Sequence, residues 1–379
     1  MEELKVLRDK IDKIDNDIVD LYARRMELAK QIGIIKGDEN KGVVDSGREK
    51  EIINRVTSKV NDDIKVYTKQ LFNTLFDTSK AYQNLYVNKN SDIKTKLINS
   101  LTKKEDFPIS ASVACQGVAG AYSSIAAERL FEISNITYFK DFNGVFSAIE
   151  RGFCDYGILP VENSTAGTVN SVYDLMKKHD FYIVKTLCLR VQHSILAKKG
   201  VKLEDIKEVV SHEQAITQCK NYLNKLNVKI TVVENTAIAA KMVAESDRKD
   251  ICAISAKECA NIYDLKVLQS NIQDAENNTT RFICIAKDIK VFNGANKISI
   301  ILNIPHIKGS LNKILTRFSL LNLNLTKLES RPLPNTNFEF AFYFDFEGDV
   351  SDVSVQNLLS DLQNESDSFT FLGYYKEEK

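Results

Sequence analysis

Residues 4–35 read LKVLRDKIDKIDNDIVDLYARRMELAKQIGII. Leu4, Leu7, Ile11, Ile14, Ile18 and Leu21, then Leu28, Ile32 and Ile35, recur at alternating steps of three and four. That spacing is the apolar seam of a long helix packed on other helices. At 1.5 Å per residue it predicts one helix of ~48 Å. Gly37 and the polar run to Gly42 end it. A second helix is expected over 46–59. A third is expected after Asp62 and Asp63, which are favourable N-cap residues. Residues 1–88 thus form an all-helical block.

The seam calls for an apolar side chain at position 25 and carries Arg25. An arginine can snorkel out of a bundle seam. The other reading is a bound anion, because an unpartnered buried guanidinium costs several kcal/mol. Lys36 lies eleven residues on, three turns plus ~20° round the helix, so it points the same way from ~16 Å along the axis. Arg8 lies ~25 Å before Arg25 and ~100° round. It cannot share a compact site with Arg25 of its own chain, but a second copy of the helix could supply it. The second helix offers Asp45, Arg48 and Glu49. The third offers Ser79 and Gln83, an i,i+4 pair on one face.

The whole chain of 379 residues balances 51 Lys+Arg against 51 Asp+Glu. Such neutrality argues against a nucleic-acid or membrane-surface binder. No apolar run reaches the ~20 residues that span a bilayer, and the charge-dense start is unlike a signal peptide. Seven cysteines include no C-x-x-C pair, and four histidines include no H-x-x-x-H. Neither a disulfide framework nor a metal site is expected, and the cytoplasm is the expected compartment.

Residues 89–109 are polar and lysine-rich and read as a linker. Residues 110–288 alternate short apolar runs with helical patterns, which predicts an α/β fold with mostly parallel sheet. Two sheets, hence two lobes with a cleft, fit this length. Four segments at strand ends are rich in polar groups. Pro160-Val161-Glu162-Asn163-Ser164-Thr165-Ala166-Gly167 is expected to precede a helix over 168–177, where backbone N–H groups and hydroxyls could form an anion site or simply cap the helix. Ser211-His212-Glu213-Gln214-Ala215 and Asn235-Thr236-Ala237 occupy similar junctions, and Asn278-Thr279-Thr280-Arg281-Phe282 adds more hydroxyls. Together they predict one cleft that takes a small carboxylate. Gln116-Gly117-x-x-Gly120 lacks the G-x-G-x-x-G fingerprint, so no dinucleotide cofactor is expected. Residues 296–379 read β-α-β-β-α-β, the ferredoxin-like pattern, with a hairpin turn at Pro334-Asn335-Thr336.

The ordered set Leu7-Arg8-Asp9-Lys10-Ile11-Asp12, Ala23-Arg24-Arg25-Met26-Glu27-Leu28-Ala29, Gly33, Lys36, Asp45-x-x-Arg48-Glu49 and Ser79-x-x-x-Gln83 resembles the all-helical chorismate mutase domain. The resemblance implies that Arg8 from a partner chain and Arg25 hold the carboxylates of chorismate. It implies that Lys36 and Gln83 bond the ether oxygen, Asp45 and Glu49 engage the hydroxyl and its surroundings, and Arg48 and Ser79 support carboxylate binding. A Claisen rearrangement needs no nucleophile and no proton transfer. It needs a clamped dianion and donors where charge grows on the breaking C–O bond.

Glu162-Asn163-Ser164-x-x-Gly167 and Thr280-Arg281-Phe282, in this order, resemble prephenate dehydratase over residues 112–287. The implied fold is two periplasmic-binding-protein-like lobes. Thr280 would donate to the departing hydroxyl of prephenate. Arg281 and the loops at Asn163–Thr165 and Ser211–Gln214 would bind its carboxylates, and Glu162 is a candidate general acid. Gly309-Ser310-Leu311 and Glu329-Ser330-Arg331-Pro332 resemble the phenylalanine-binding motifs of the ACT regulatory domain, with Ser310 where that family has Ala. A domain that has lost its ligand and only dimerises is the alternative.

The expected protein is a bifunctional enzyme that converts chorismate to prephenate and prephenate to phenylpyruvate, with L-phenylalanine as effector. It would act as a homodimer with a shared mutase site, or as a tetramer, with no nucleic-acid or membrane partner. A non-catalytic amino-acid sensor and a fusion with one live activity are the competing readings.

Overall fold

The computed structural model describes residues 2–39, 42–87, 92–102, 105–333 and 339–378. Its first helix, α1, runs Glu2–Asp38. It is followed by α2 (Ser46–Thr57) and α3 (Lys65–Asn84). Asp45 caps α2, its carboxylate accepting from Arg48 N at 2.9 Å. Asp62 and Asp63 do not cap α3. They begin a 3₁₀ turn over Asp62–Ile64, and α3 starts at Lys65 with Ile64 at its N-cap and no side-chain cap.

The seam of α1 is not the face that the single chain buries. Leu4, Leu7, Ile11, Ile14, Ile18, Leu21, Leu28, Ile32 and Ile35 are all exposed in the single chain. The buried residues are Ala29 and Gly33, one position round from the seam. α3 packs on the face of Ala29 and Gly33, about 100° round from the seam, so Leu28, Ile32 and Ile35 stay exposed beside it. At Gly33, α1 and α3 approach closely. A Cβ there would stand 2.9 Å from both Cα and O of Gln83, so only glycine fits.

Residues Asp92–Leu101, read as linker, form a helix, α4, with Ile93 and Leu97 buried at an i,i+4 spacing. The lysines masked this short apolar stripe in the sequence.

The central segment builds two lobes. Lobe one holds β1 (Ser110–Gln116), α5 (Tyr122–Leu130), β2 (Ile133–Phe139), α6 (Phe142–Glu150), β3 (Tyr156–Asn163), β4 (Gly167–Thr168), α7 (Asn170–Met176) and β5 (Tyr182–Arg190). Lobe two holds β6 (Ser194–Ala197), β7 (Glu208–Ser211), α8 (Glu213–Gln218), α9 (Lys220–Leu226), β8 (Lys229–Val232), α10 (Thr236–Glu245), β9 (Ile251–Ser255), α11 (Glu258–Ile262) and β10 (Lys266–Gln269). The chain then returns to lobe one as β11 (Thr279–Ala286). The sheet orders are β5-β11-β3-β1-β2 and β10-β6-β9-β7-β8.

Both sheets are mixed rather than mostly parallel. β1 pairs β2 and β3 in parallel, whereas β11 runs antiparallel to both β3 and β5. The topology demands it: β5 leads out of lobe one and β11 leads back. β6 and β10 escape the sequence reading because four-residue strands carry no visible period, and β6 is buried on both faces. The helix expected at 168 starts instead at Asn170. Residues Gly167–Thr168 are a short strand that pairs back onto Glu162–Asn163.

The last segment holds β12 (Lys297–Asn303), α12 (Ser310–Leu320), β13 (Leu325–Pro332), β14 (Phe340–Glu347), α13 (Val353–Glu365) and β15 (Ser368–Glu378). The order β13-β14-β12-β15 is the ferredoxin-like arrangement. β13 and β14 pair antiparallel from Leu325–Phe346 to Pro332–Phe340. The turn at Pro334-Asn335-Thr336 lies outside the described residues.

Two compact units result. One joins Met1–Asn99 with Ile300–Phe371, and the other joins Ser100–Ser299 with Leu372–Lys379. Within the first, the Asn84 amide bonds the Asp361 carboxylate, and Asn357 Nδ2 donates to Asn84 O at 3.3 Å. Within the second, Lys376, Glu377 and Glu378 pair in parallel with Lys185, Thr186 and Leu187 of β5. Among the described residues no helix is long and apolar enough to cross a membrane.

Candidate active sites

A cleft of about 440 Å³ opens in the second unit, a size suited to a small molecule. The strand-to-helix junctions converge on it. Gln116, Tyr122 and Ser123 line it from lobe one, together with Pro160, Asn163, Thr280 and Phe282. His212, Gln214, Gln218, Glu234, Asn235 and Thr236 line it from lobe two. No lysine or arginine is among the described lining residues. The N-terminal ends of α5 and α10 supply positive potential instead, through Tyr122–Ser123 and Thr236.

Strand geometry decides which motif residues reach the cleft. Side chains alternate along β11, so Thr280 and Phe282 line the cleft and Arg281 faces the other way. There Arg281 Nη2 bonds Glu162 Oε2 at 3.0 Å, and Nη1 lies 3.7 Å from Glu377 Oε1. The cross-strand register is Thr280–Asn163, Arg281–Glu162, then Phe282–Pro160. Val161 is therefore a bulge, and it lets both Pro160 and Asn163 face the cleft. Neither Arg281 as a carboxylate ligand nor Glu162 as an acid in the cleft fits this geometry, because each neutralises the other on the opposite face. Ser164 is also withdrawn from the cleft. Its hydroxyl donates to Asn277 O at 2.9 Å and accepts from Thr279 N at 3.0 Å, clipping the turn to β11.

Asn163 does not cap a helix. It is 7% exposed, and its Oδ1 accepts from Thr165 N (3.1 Å), Thr165 Oγ1 (2.7 Å) and Ala166 N (2.9 Å). The backbone donors can only meet an oxygen, so the amide orientation follows. Asn163 Nδ2 then donates to Asn278 Oδ1 at 2.8 Å and to Thr280 Oγ1 at 2.9 Å. Thr280 Oγ1 is thereby an acceptor toward Asn163, and its own proton is left for another partner. His212 caps α8, its Nδ1 accepting from Gln214 N at 3.3 Å.

In the first unit, Arg25 Nη1 donates to Leu75 O at 2.9 Å and to the Ser79 hydroxyl. Partial burial lowers the Arg25 pKa. Ser79 Oγ donates to Leu75 O at 2.7 Å. Lys36 Nζ donates to Val43 O at 2.9 Å, and Lys80 Nζ holds Glu49 Oε1 at 3.1 Å. Gln83 is buried, and its Oε1 has no hydrogen-bond partner. Asp45 stays at its capping role. Arg48 is exposed and pairs with Glu51 at 2.7 Å, apart from the others. Arg8 is exposed in the outer half of α1 and does not join Arg25 within one chain.

Residues 113–290 match the prephenate dehydratase family, and residues 7–84 match chorismate mutase type II. A bifunctional chorismate mutase/prephenate dehydratase of Aquifex aeolicus is 32% identical over 379 residues, spanning 99% of this chain and 98% of its own. The chain belongs to this bifunctional family. An Arabidopsis thaliana arogenate dehydratase/prephenate dehydratase is 37% identical over 73% of this chain and 76% of its own. A prephenate dehydratase of Arthrobacter aurescens, solved with L-Phe, is 26% identical with a TM-score of 0.64, covering 70% of this chain and 90% of that one. The protein is thus an enzyme with chorismate mutase and prephenate dehydratase domains.

In this enzyme the motifs of the last segment sit at two places. Gly309 stands in the left-handed region (φ 86°) at the start of α12, ahead of Ser310 and Leu311. Glu329, Ser330, Arg331 and Pro332 end the edge strand β13. Several cleft residues escaped the sequence reading, among them Glu234, Gln218 and His193. Gln218 sits four residues after Gln214, an i,i+4 repeat that could have flagged it. His193, 2% exposed, follows β5 in a segment with no motif.

Asn163→Asp puts a carboxylate against two oxygen atoms. Prephenate turnover in this variant is expected to fall by ~100-fold through misplacement of Thr280, with chorismate loss unchanged. A steady-state rate within a factor of about two of the native enzyme would contradict the role of the amide.

Proposed function

We propose that the chain carries out consecutive steps, chorismate to prephenate and prephenate to phenylpyruvate, and that L-phenylalanine restrains the second. In the dehydratase step the C–CO₂ bond breaks. Its electron pair aromatises the ring and expels the C4 hydroxyl, which takes up one proton from solvent and leaves as water, while Thr280 keeps its own proton and donates a hydrogen bond to the departing oxygen. The observation that carries this reading is the bond from Asn163 Nδ2 to Thr280 Oγ1, which leaves the threonine proton for the leaving oxygen. The substrate carboxylates rest on the helix N-termini around the cleft rather than on Arg281.

In the mutase step Arg25, steadied by Ser79 and Leu75 O, holds a carboxylate, and Lys36 and Gln83 serve the ether oxygen. The exposed apolar stripe from Leu4 to Leu21, with Arg8 on its flank, supports a second copy as occupant: the stripe would be buried and each site would take Arg8 from its partner. For regulation, the ferredoxin-like arrangement, the left-handed Gly309 before α12 and the L-Phe bound to the Arthrobacter enzyme support an ACT role.

A second substrate is favoured by Glu234, the one carboxylate among the described lining residues. Arogenate carries an amino group that could meet it, and relatives bear that name. If so, Glu234→Gln lowers arogenate turnover and spares prephenate turnover. Equal loss of both removes this reading.

Purified protein supplied with chorismate is expected to consume it and release phenylpyruvate, more slowly with millimolar L-phenylalanine present. Thr280→Ala should accumulate prephenate, and Arg25→Ala should stop chorismate loss while still dehydrating added prephenate. Phenylpyruvate formation at the native rate in Thr280→Ala would remove Thr280 from the mechanism. Arg8→Ala and Arg25→Ala proteins, each inactive as mutase, are expected to recover roughly a quarter of native activity when unfolded and refolded together, since half the dimers then carry one intact site. No recovery would count against a shared site.

A further inference from the structure

A second cavity, of about 250 Å³, opens beside the cleft, and Tyr122 lines both. The cleft has no cation among its described lining residues, whereas this cavity has three. Its wall is apolar: Ile125 faces it from α5, and Leu187 and Leu189 face it from β5. Arg129 stands one turn beyond Ile125 on the same face of α5. Arg190 ends β5, and Lys257 is the N-cap residue of α11. Against these three cations the lining holds one carboxylate, Glu258. Among the described residues the side chains of Arg129 and Lys257 have neither an ion pair nor a hydrogen bond. Arg190 uses one of its five N–H groups, Nε, which donates to Glu276 O at 3.1 Å. The four N–H groups on its terminal nitrogens bond no described residue.

Each cation comes from a different part of the two-lobed core. Arg129 belongs to lobe one, Lys257 to lobe two, and Arg190 to the crossing from β5 to β6. Through Glu276 O, Arg190 also holds the return crossing from β10 to β11. Tyr122 Oη donates to Gln192 O at 2.7 Å and accepts from Gln192 N at 3.1 Å, which fastens α5 to the first crossing. A lone exposed cation is solvated and of little consequence. Three that the fold gathers from remote segments onto one concavity repel one another, and a single carboxylate leaves two positive charges uncompensated. The apolar wall behind them excludes water and strengthens their field.

We propose that this cavity is a second anion site of the dehydratase core, taking a small dianion that bridges Arg129, Arg190 and Lys257 and so ties lobe one to lobe two. The chemistry required is two negative charges on a body that fits about 250 Å³. A hydrogen phosphate ion and a dicarboxylate such as prephenate both meet it, and the free fork of Arg190 suits the oxygens of either. A ligand that touches both lobes favours the lobe placement that brings its three partners together. The neighbouring cleft registers that preference as a changed affinity for prephenate.

The test titrates the full chain with inorganic phosphate at pH ~8 by calorimetry, with sodium chloride holding the ionic strength constant. The native chain is expected to bind phosphate. Arg129→Ala and Lys257→Ala are each expected to weaken binding ~10-fold, the worth of one hydrogen bond to a charged group. Lys199→Ala, which removes an exposed cation that pairs with Asp264 and does not line the cavity, is expected to bind as the native chain does. Chorismate loss and phosphate-free prephenate turnover, within ~2-fold of native in all three variants, serve as the folding control. Rates at rising prephenate separate the two sources. If the substrate itself fills the site, the native curve departs from a hyperbola and Arg129→Ala restores one. If phosphate fills it, the native curve is hyperbolic, and phosphate shifts KM at least ~3-fold in the native chain but not in Arg129→Ala. No phosphate binding together with a hyperbolic prephenate curve overturns the proposal. So does an effect of either anion that persists in Arg129→Ala and Lys257→Ala, or that Lys199→Ala weakens equally. Phosphate that binds and leaves KM unchanged overturns the tie between the lobes.

Discussion

The side-chain amide of Asn163 is buried at the end of β3, with three donors on its oxygen and two acceptors on its nitrogen. Two of those donors are backbone N–H groups, which cannot reverse. Thr280, Asn278, Gln218 and His193 inherit their bond directions from that constraint. A buried amide turned the wrong way would face two oxygens with an oxygen and two N–H groups with an NH₂. Each such mismatch costs about 1–3 kcal/mol, so the alternative arrangement is barely populated. The same constraint explains why Asn163, and not a charged residue, stands beside Thr280: an amide donates to one side and accepts on the other, which a carboxylate cannot do.

The charges that the sequence places nearby are removed from the cleft. Glu162 and Arg281 are neighbours of Asn163 and Thr280 in the chain, yet pleating sends them to the opposite face, where Glu377 of β15 joins them. The cleft lining thus keeps neutral donors and helix N-termini, with Glu234 the one carboxylate among its described residues. In the mutase domain, by contrast, two cations stand on one helix, Arg25 and Lys36, each donating to a backbone carbonyl.

The sequence made the long helix, the two-lobed core and the βαββαβ tail legible because each has a strong period or a regular alternation. Thr280, Asn163 and the helix-start residues could be read as cleft residues from their positions at strand ends. What could not be read depended on small rotations. The seam of α1 faces outward in the single chain because α3 packs on the face of Ala29 and Gly33. Arg281 leaves the cleft by one residue of alternation, and the bulge at Val161 reverses the facing of half of β3. Gln218 and His193 carry no motif, and only the folded crossings bring them to the turn.

Neutron diffraction from deuterium-exchanged crystals of the full chain tests the central claim most directly, because it locates the protons themselves. Deuterium on Thr280 Oγ1 should point into the cleft, with both amide deuterons of Asn163 aimed at Asn278 and Thr280 and one on His193 Nε2. A Thr280 deuteron directed at the Asn163 side chain would contradict the account.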